Sequence, residues 1–235
     1  MEEEYSYEYS RGIDKKKTVG YWIGKGFKLA CVLLMVFVYG FFMVRLFTSK
    51  DPAAVKEFVW NEAAYTAYTQ SPEDFYVMRQ PIKSVFTEDG TFRVTEVKYV
   101  PSIGQLQTTV RYNNSTLKGL VERYKLSETP KGEAFIYILR DANGVEYRDY
   151  SFKGLTKNVY NYRQLIFDGI DLANAGTLTL DIYYIDDVNF TYNPYASLLV
   201  YDEDEYSEEF DLSKSQPDGV TSGFSVKPAY LTKGE

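Results

Sequence analysis

Five carboxylates in the C-terminal half of this chain carry its clearest metal chemistry. Asp186 and Asp187 follow the apolar segment LDIYYI, and Asp202, Asp204 and Glu205 follow SLLVY. Calcium takes about six to eight oxygen ligands, and acidic loops at strand ends can supply them. The spacing is not that of an EF-hand, whose loop glycine is missing. Seven carboxylates fall between Asp202 and Asp211, and such a run also serves as a solvated acidic edge that discourages strand-to-strand aggregation. Calcium and the solvated edge both stay open here; no other cofactor is expected.

Other chemistries are excluded by what is missing. There is no histidine, so Ser-His-Asp triads, Cys-His pairs and imidazole metal sites do not arise. The single cysteine, Cys31, rules out an internal disulfide and a thiolate zinc site. A glycosidase-like carboxylate pair survives, but 33 Asp and Glu residues make many accidental pairs. The expectation is a non-enzymatic protein. Charge is unevenly spread: residues 1–50 carry +3 and the rest carries −10. A negative body argues against wrapping nucleic acid, which needs clustered Lys and Arg.

The elements that must position these groups begin with an apolar run. Leu29 to Val44 is free of charge, and Phe27 to Phe47 reaches a full span if Lys28 and Arg45 snorkel to the two interfaces. Tyr21 and Trp22 sit where an interfacial aromatic belt would lie. The run ends in MVRLFTSKD, without a small-residue cleavage site, and most of it follows Cys31, which is wrong for a lipoprotein signal. A single uncleaved signal-anchor is therefore expected, in contact with the membrane lipid bilayer. Arg11, Lys15, Lys16, Lys17, Lys25 and Lys28 precede it, so the positive-inside rule puts the N-terminus in the cytoplasm and the long C-terminal part outside the cell membrane.

The remaining segments follow from local pattern. Residues 1–18 read as a disordered cytoplasmic tail with Tyr5, Tyr7 and Tyr9 among glutamates, and residues 19–48 as the transmembrane helix. Residues 49–80 read as a juxtamembrane pair of helices, started by Asp51 with Pro52 and by Ser71 with Pro72. From residue 81 to 212 the period becomes two: Leu106, Thr108, Val110 and Tyr112; Phe135, Tyr137 and Leu139; Leu178, Leu180, Ile182 and Tyr184. Turn signals separate these strands, among them VPSIG, YNNST and DANG, the Asn-Gly pair being a strong hairpin signal because both residues tolerate positive φ. The fold class is mainly β, a single antiparallel sandwich with no room for crossover helices and with an open barrel as the alternative, followed by a polar tail over 213–235. Asn113, Asn114 and Asn189 sit in glycosylation acceptor patterns.

The segments FRVTEVKYVPSIGQLQTTVRYNNST and FIYILRDANGVEY resemble the exported immunoglobulin-like sandwich modules found on lipoproteins and single-pass membrane proteins of Gram-positive bacteria. Val110, Asn113, Asn114 and Ser115 echo one turn of those modules, and Asp141, Gly144 and Tyr147 a later hairpin. The resemblance implies an immunoglobulin-like sandwich in an outside location and carries no catalytic residues. Two functions are expected from this reading. The first is an anchored extracytoplasmic module that binds a protein or cell-envelope partner. The second is a membrane-complex subunit or transducer that uses the tyrosine-rich tail.

Overall fold

The computed structural model describes residues 2–49, 51–82, 85–129, 133–157, 159–186, 191–204, 207–215 and 217–226. The chain divides into two compact units, Met1–Lys50 and Asp51–Glu235. The first is a single helix, α1 (Glu2–Ser49). Its part Gly20–Arg45 is 26 residues, about 39 Å at 1.5 Å per residue, long and apolar enough to cross a membrane. The apolar side chains of that stretch, from Phe27 through Leu34, Phe37 and Phe41, are exposed. At its start Tyr21 and Trp22 meet edge to face, 6.3 Å between ring centres, with the Lys25 amine 4.9 Å from the Tyr21 ring. Residues 2–18, expected to be disordered, continue the same helix. No proline interrupts the chain before Pro52.

The second unit is mainly β. Its strands are β1 (Met78–Arg79), β2 (Phe92–Val100), β3 (Gln105–Asn113), β4 (Phe135–Asp141), β5 (Glu146–Tyr147), β6 (Tyr150–Lys157), β7 (Tyr160–Phe167), β8 (Thr177–Asp186), β9 (Thr191–Asp202), β10 (Glu208–Glu209) and β11 (Ser225–Val226). They form a seven-stranded sheet, β10-β1-β2-β3-β7-β6-β11, and a four-stranded one, β5-β4-β8-β9, with antiparallel pairing throughout. The alternating residues expected to face inward do so. Leu106, Val110, Tyr112, Leu165 and Phe167 from one sheet join Phe135, Tyr137, Leu139, Leu178, Leu180 and Ile182 from the other in a buried core.

Three differences from the sequence reading have physical causes. First, the turn expected at YNNST opens a helix, α3 (Asn114–Tyr124), where the Asn113 side chain accepts from the Thr116 amide at 3.0 Å. The chain must pass here from one sheet to the other, and α3 covers the end of the core with Leu120, which is fully buried. Second, the DANG hairpin forms between β4 and β5, and of its two residues that tolerate positive φ only Gly144 adopts it, at +84°. The Asp141 carboxylate shapes that loop by accepting from the Asn143 and Val145 amides at 2.9 and 2.8 Å. Third, residues 49–80 contain one α-helix, α2 (Glu62–Gln70), capped by the Asn61 side chain. Before it comes a 3₁₀ turn, Ala53–Val55, and an extended segment; Ser71 and Pro72 give only a turn.

The reason for the third difference is burial. Phe58 and Trp60 pack with Phe75, Val77 and Val100 in a second apolar cluster. Trp60 stacks on Phe75 at 5.4 Å, and its indole N–H donates to the Ser215 carbonyl at 2.6 Å. An extended backbone reaches these places and a helix from Asp51 would not. The region expected as a stalk therefore belongs to the β unit. The expected polar tail is also partly built in: the Thr221 amide donates to the Trp60 carbonyl at 2.6 Å, and β11 pairs with β6.

Candidate functional site: a strapped sheet and a clefted edge strand

The outward side chains of β2, β3 and β7 are polar, which would normally mean a solvated face. Instead they are buried, because residues 51–60 lie across them as a strap. The antiparallel register places the holding groups in successive rows. Arg93, Arg111 and Tyr162 are directly paired across three strands and converge on the Asp51 carboxylate, at 3.9, 2.8 and 3.2 Å. In the next row Thr109 donates to the Val55 carbonyl at 3.0 Å and Gln164 to the Ala54 carbonyl at 3.1 Å. In the row after, Gln107 holds Val59 twice, accepting from its amide at 3.0 Å and donating to its carbonyl at 2.8 Å, while the Lys98 amine reaches the Glu57 carbonyl at 3.5 Å.

This polar face carries two charges that water does not reach. Glu96 and Lys98 are each 3% exposed. Arg79 pairs with Glu96 at 2.9 Å, and Lys98 lies 3.7 Å from the same carboxylate. Burial pulls the Lys98 amine down to about 8, against the opposing pull of Glu96. Between the sheets lies another pair, Arg163 and Glu133. The Arg163 guanidinium is 5.5 Å from the Tyr112 ring, and burial pushes the Tyr112 phenol up to about 12 and the Tyr137 phenol well above its ordinary range. Burial likewise raises the Glu133 carboxyl, against the pull of Arg163. These groups pin the sheets together; the Tyr137 hydroxyl has no hydrogen-bond partner among the described residues.

The surface accessible to another molecule is best developed around β9. This strand is the edge of its sheet and carries Pro194 and two bulges, at Tyr195 and Val200, which discourage addition of a further strand. One cleft, about 410 Å³, opens between Arg123, Asp89, Thr87 and Tyr195. The Arg123 guanidinium lies 4.8 Å from the Tyr195 ring and 5.7 Å from that of Tyr124. Burial raises the Asp89 carboxyl, but hydrogen bonds from Thr87 and Thr91 outweigh it and hold the group below its usual range. The second cleft, about 390 Å³, is lined by Arg140, Asp181, Tyr183, Pro194 and Ser197. There Asp181 accepts from Ser197 at 2.6 Å and pairs with Arg140 at 3.3 Å, and Arg140 also pairs with Glu146 at 2.8 Å.

Tyr195, Ala196 and Ser197 line both clefts, so the two flank one strand. Matched against protein-family models and against curated proteins, the chain finds no counterpart in either. A larger hollow, about 770 Å³, lies between α2 and residues 220–224, walled by Ala63, Ala67, Ser222 and Gly223 with Glu62 its one charged residue. Directional recognition is better served by the arginine clefts.

Of the sequence-derived calcium ligands, the described Asp186 and Asp202 do not come together. In the β8–β9 ladder Asp186 pairs with Thr191 and Asp202 with Thr177, so the two aspartates stand at opposite ends, about 30 Å apart at 3.3 Å per residue. Asp204 is exposed in the turn after Asp202 and donates its amide to the Asp202 carboxylate at 3.2 Å. Asp187, Glu205 and the acceptor site at Asn189 lie outside the described residues. Among the described residues no group of three or more acidic or thiol side chains is placed to hold a metal ion. The strap's polar anchors were missed because Gln107, Thr109 and Arg111 look like the solvent side of an alternating strand; only the apolar run Phe58-Val59-Trp60 signalled that something covers them.

Proposed function

We propose that this chain is a single-pass, membrane-anchored binding module, non-catalytic, whose immunoglobulin-like sandwich stands outside the cytoplasm and engages a protein or cell-envelope partner. The strand order supports the immunoglobulin-like reading: β2-β3-β7-β6 against β5-β4-β8-β9 corresponds to the ABED and C′CFG sheets of that fold. The basic residues ahead of the span support an uncleaved signal-anchor with a cytoplasmic N-terminus. The observation that carries the binding role is the pair of arginine-lined clefts on either side of Tyr195, on an edge strand that Pro194 and the bulges keep from pairing. Tyrosine and arginine are the residues that most often anchor protein interfaces.

A photo-crosslinking residue at Ser197 of the full chain, in intact membranes, tests this. A discrete adduct is expected that weakens when Arg123 or Arg140 becomes alanine and is absent from a probe at Gln70. Equal adducts from both positions, or none from Ser197, would sink the role assigned to β9.

One observation favours the second reading, a transducer. Helix α1 is continuous from Glu2 to Ser49, so the span and the tyrosine-rich segment ahead of it form one helix. Deleting residues 2–14 separates the two readings: binding survives deletion in the module, and the output of a transducer does not.

A further inference from the structure

The strap enters the β unit at one particular end of the sandwich, and the chain before it is short. From Arg45, where the apolar span ends, to Asp51 the helix continues to Ser49 and two further residues follow. At ~1.5 Å per helical residue and at most ~3.5 Å for each of the others, the tether allows about 13 Å. Given the anchored reading above, on which this inference rests, the end of the sheet that holds Asp51 cannot leave the lipid surface by more than that.

The outward side chains at this end are not those of a solvated rim. The row that grips Asp51 runs Phe86, Arg93, Arg111, Tyr162 and Leu155 across neighbouring strands. Its two outer members are exposed hydrophobics: Phe86 is 53% and Leu155 37% accessible. Beyond them, in the turn from β6 to β7, Val159 is 54% accessible, next to Tyr160, whose ring lies 4.3 Å from the Arg111 guanidinium. Tyr192, at the start of β9, is a fourth exposed hydrophobic at this end, while Val145 is exposed in the β4–β5 hairpin at the opposite end. Arg93, a third exposed, covers the Phe86 ring at 5.6 Å, and exposed Lys157 ends β6. The acidic groups described here include Asp51, taken up by Arg111, Asp89, taken up by threonines, Glu133, paired with Arg163, Glu88 in the hairpin turn, exposed Glu122 on α3 and Asp186 at the end of β8.

We propose that this rim, Phe86, Leu155 and Val159 with Arg93 and Lys157, is a lipid-facing surface that seats in the headgroup layer of the membrane the chain is anchored in. Apolar and aromatic side chains with arginine and lysine beside them are what that layer accommodates: the rings and methyls enter the acyl boundary and the basic heads stay with phosphate. Seating the rim turns the Val145 end away from the bilayer and fixes which loops a partner in solution can reach. The strap contributes the pre-ordering, because the row of side chains that grips Asp51 includes Phe86, Arg93 and Leu155 of the rim.

The test uses the full chain with Cys31→Ser, reconstituted in vesicles of phosphatidylcholine and phosphatidylglycerol. An environment-sensitive fluorophore is placed at Val159→Cys or at Val145→Cys, and the quencher is lipid carrying a nitroxide near the headgroup. Strong quenching is expected at position 159 and none at 145, since strands of this length set the two ends roughly 30 Å apart. A fluorophore at Lys157→Cys should lose most of its quenching when Phe86 and Val159 become serine, both exposed enough to leave the melting temperature unchanged. Equal quenching at 159 and 145, or quenching at 157 untouched by the serine pair, overturns the lipid-facing rim. Release of the chain from the vesicles by alkaline carbonate instead overturns the anchor itself.

Discussion

Replacing Asp51 by alanine probes the strap at its first residue. The carboxylate is 4% exposed and takes a charged hydrogen bond from Arg111 at 2.8 Å and one from Tyr162 at 3.2 Å. Arg93 is farther, at 3.9 Å, and a third exposed, so water screens most of its share. Removing one partner of a buried pair typically costs ~3–5 kcal/mol, because the other charge is left without compensation. Arg111 keeps its contact with the Tyr160 ring, 4.3 Å away, which softens the loss. The expected cost is on the order of 3 kcal/mol. At ~2–4 °C per kcal/mol for a unit of this size, the melting temperature falls by roughly 6–12 °C. Circular dichroism of the full chain in detergent micelles measures this through the β signal. The informative comparison is with Arg111→Met and the double variant: the pair should show a coupling of about 2 kcal/mol. Additive losses, with coupling within about 0.5 kcal/mol of zero, would refute a strap held by this contact.

Other consequences are as direct. Gly104 has φ +59°, and a Cβ there would stand 2.8 Å from the Ile170 carbonyl oxygen, so Gly104→Ala should cost more than about 2 kcal/mol, read by urea denaturation, whereas Gly90→Ala, with open space around it, should cost less. Tyr137→Phe removes a buried hydroxyl with no partner among the described residues and should leave stability unchanged or raise it by about 1 kcal/mol; a loss above that would reveal a partner. Lys98 gives a pH signature. Folding lowers its amine from the ordinary 10.5 to about 8, so between those values the unfolded chain binds more protons and stability rises with pH. Above about pH 10 the order reverses, since the unfolded chain releases tyrosine protons that Tyr112 and Tyr137 keep when folded. Lys98→Met should flatten the rise from pH 8 and leave the alkaline fall; matching profiles for the two proteins would contradict the burial of a charged amine.

Strands were legible where one face of the chain is core and the other is not. Leu178, Leu180, Ile182 and Tyr184 alternate with Thr179, Asp181 and Tyr183, and the period alone places them. The strap was not legible, since Asp51-Pro52 is a good helix start in isolation. What overrides it is a carboxylate drawn to Arg111 and aromatic side chains drawn to Phe75, both remote in sequence. Helix α3 escaped because Asn113 and Asn114 signal a turn and a cap equally well, and only Leu117, Leu120 and Tyr124 favour the cap. The acidic clusters were visible, but whether they meet depends on register. The ladder of β8 and β9 sets Asp186 and Asp202 apart. Titrating calcium to millimolar levels should therefore show no site shared by the two clusters. The β9 clefts could not be foreseen, since Arg123 and Tyr195 come from elements far apart in the chain.

The proposed function requires that an uncleaved apolar helix hold this β unit on the far side of a membrane from its N-terminus. Impermeant maleimide applied to intact cells expressing the Cys31→Ser chain with Val145→Cys tests it, because Val145 is half exposed at the end of the sandwich away from Asp51. Labelling without permeabilisation, on a full-length chain that resists carbonate extraction, is the result predicted. Labelling only after the cells are opened would contradict it.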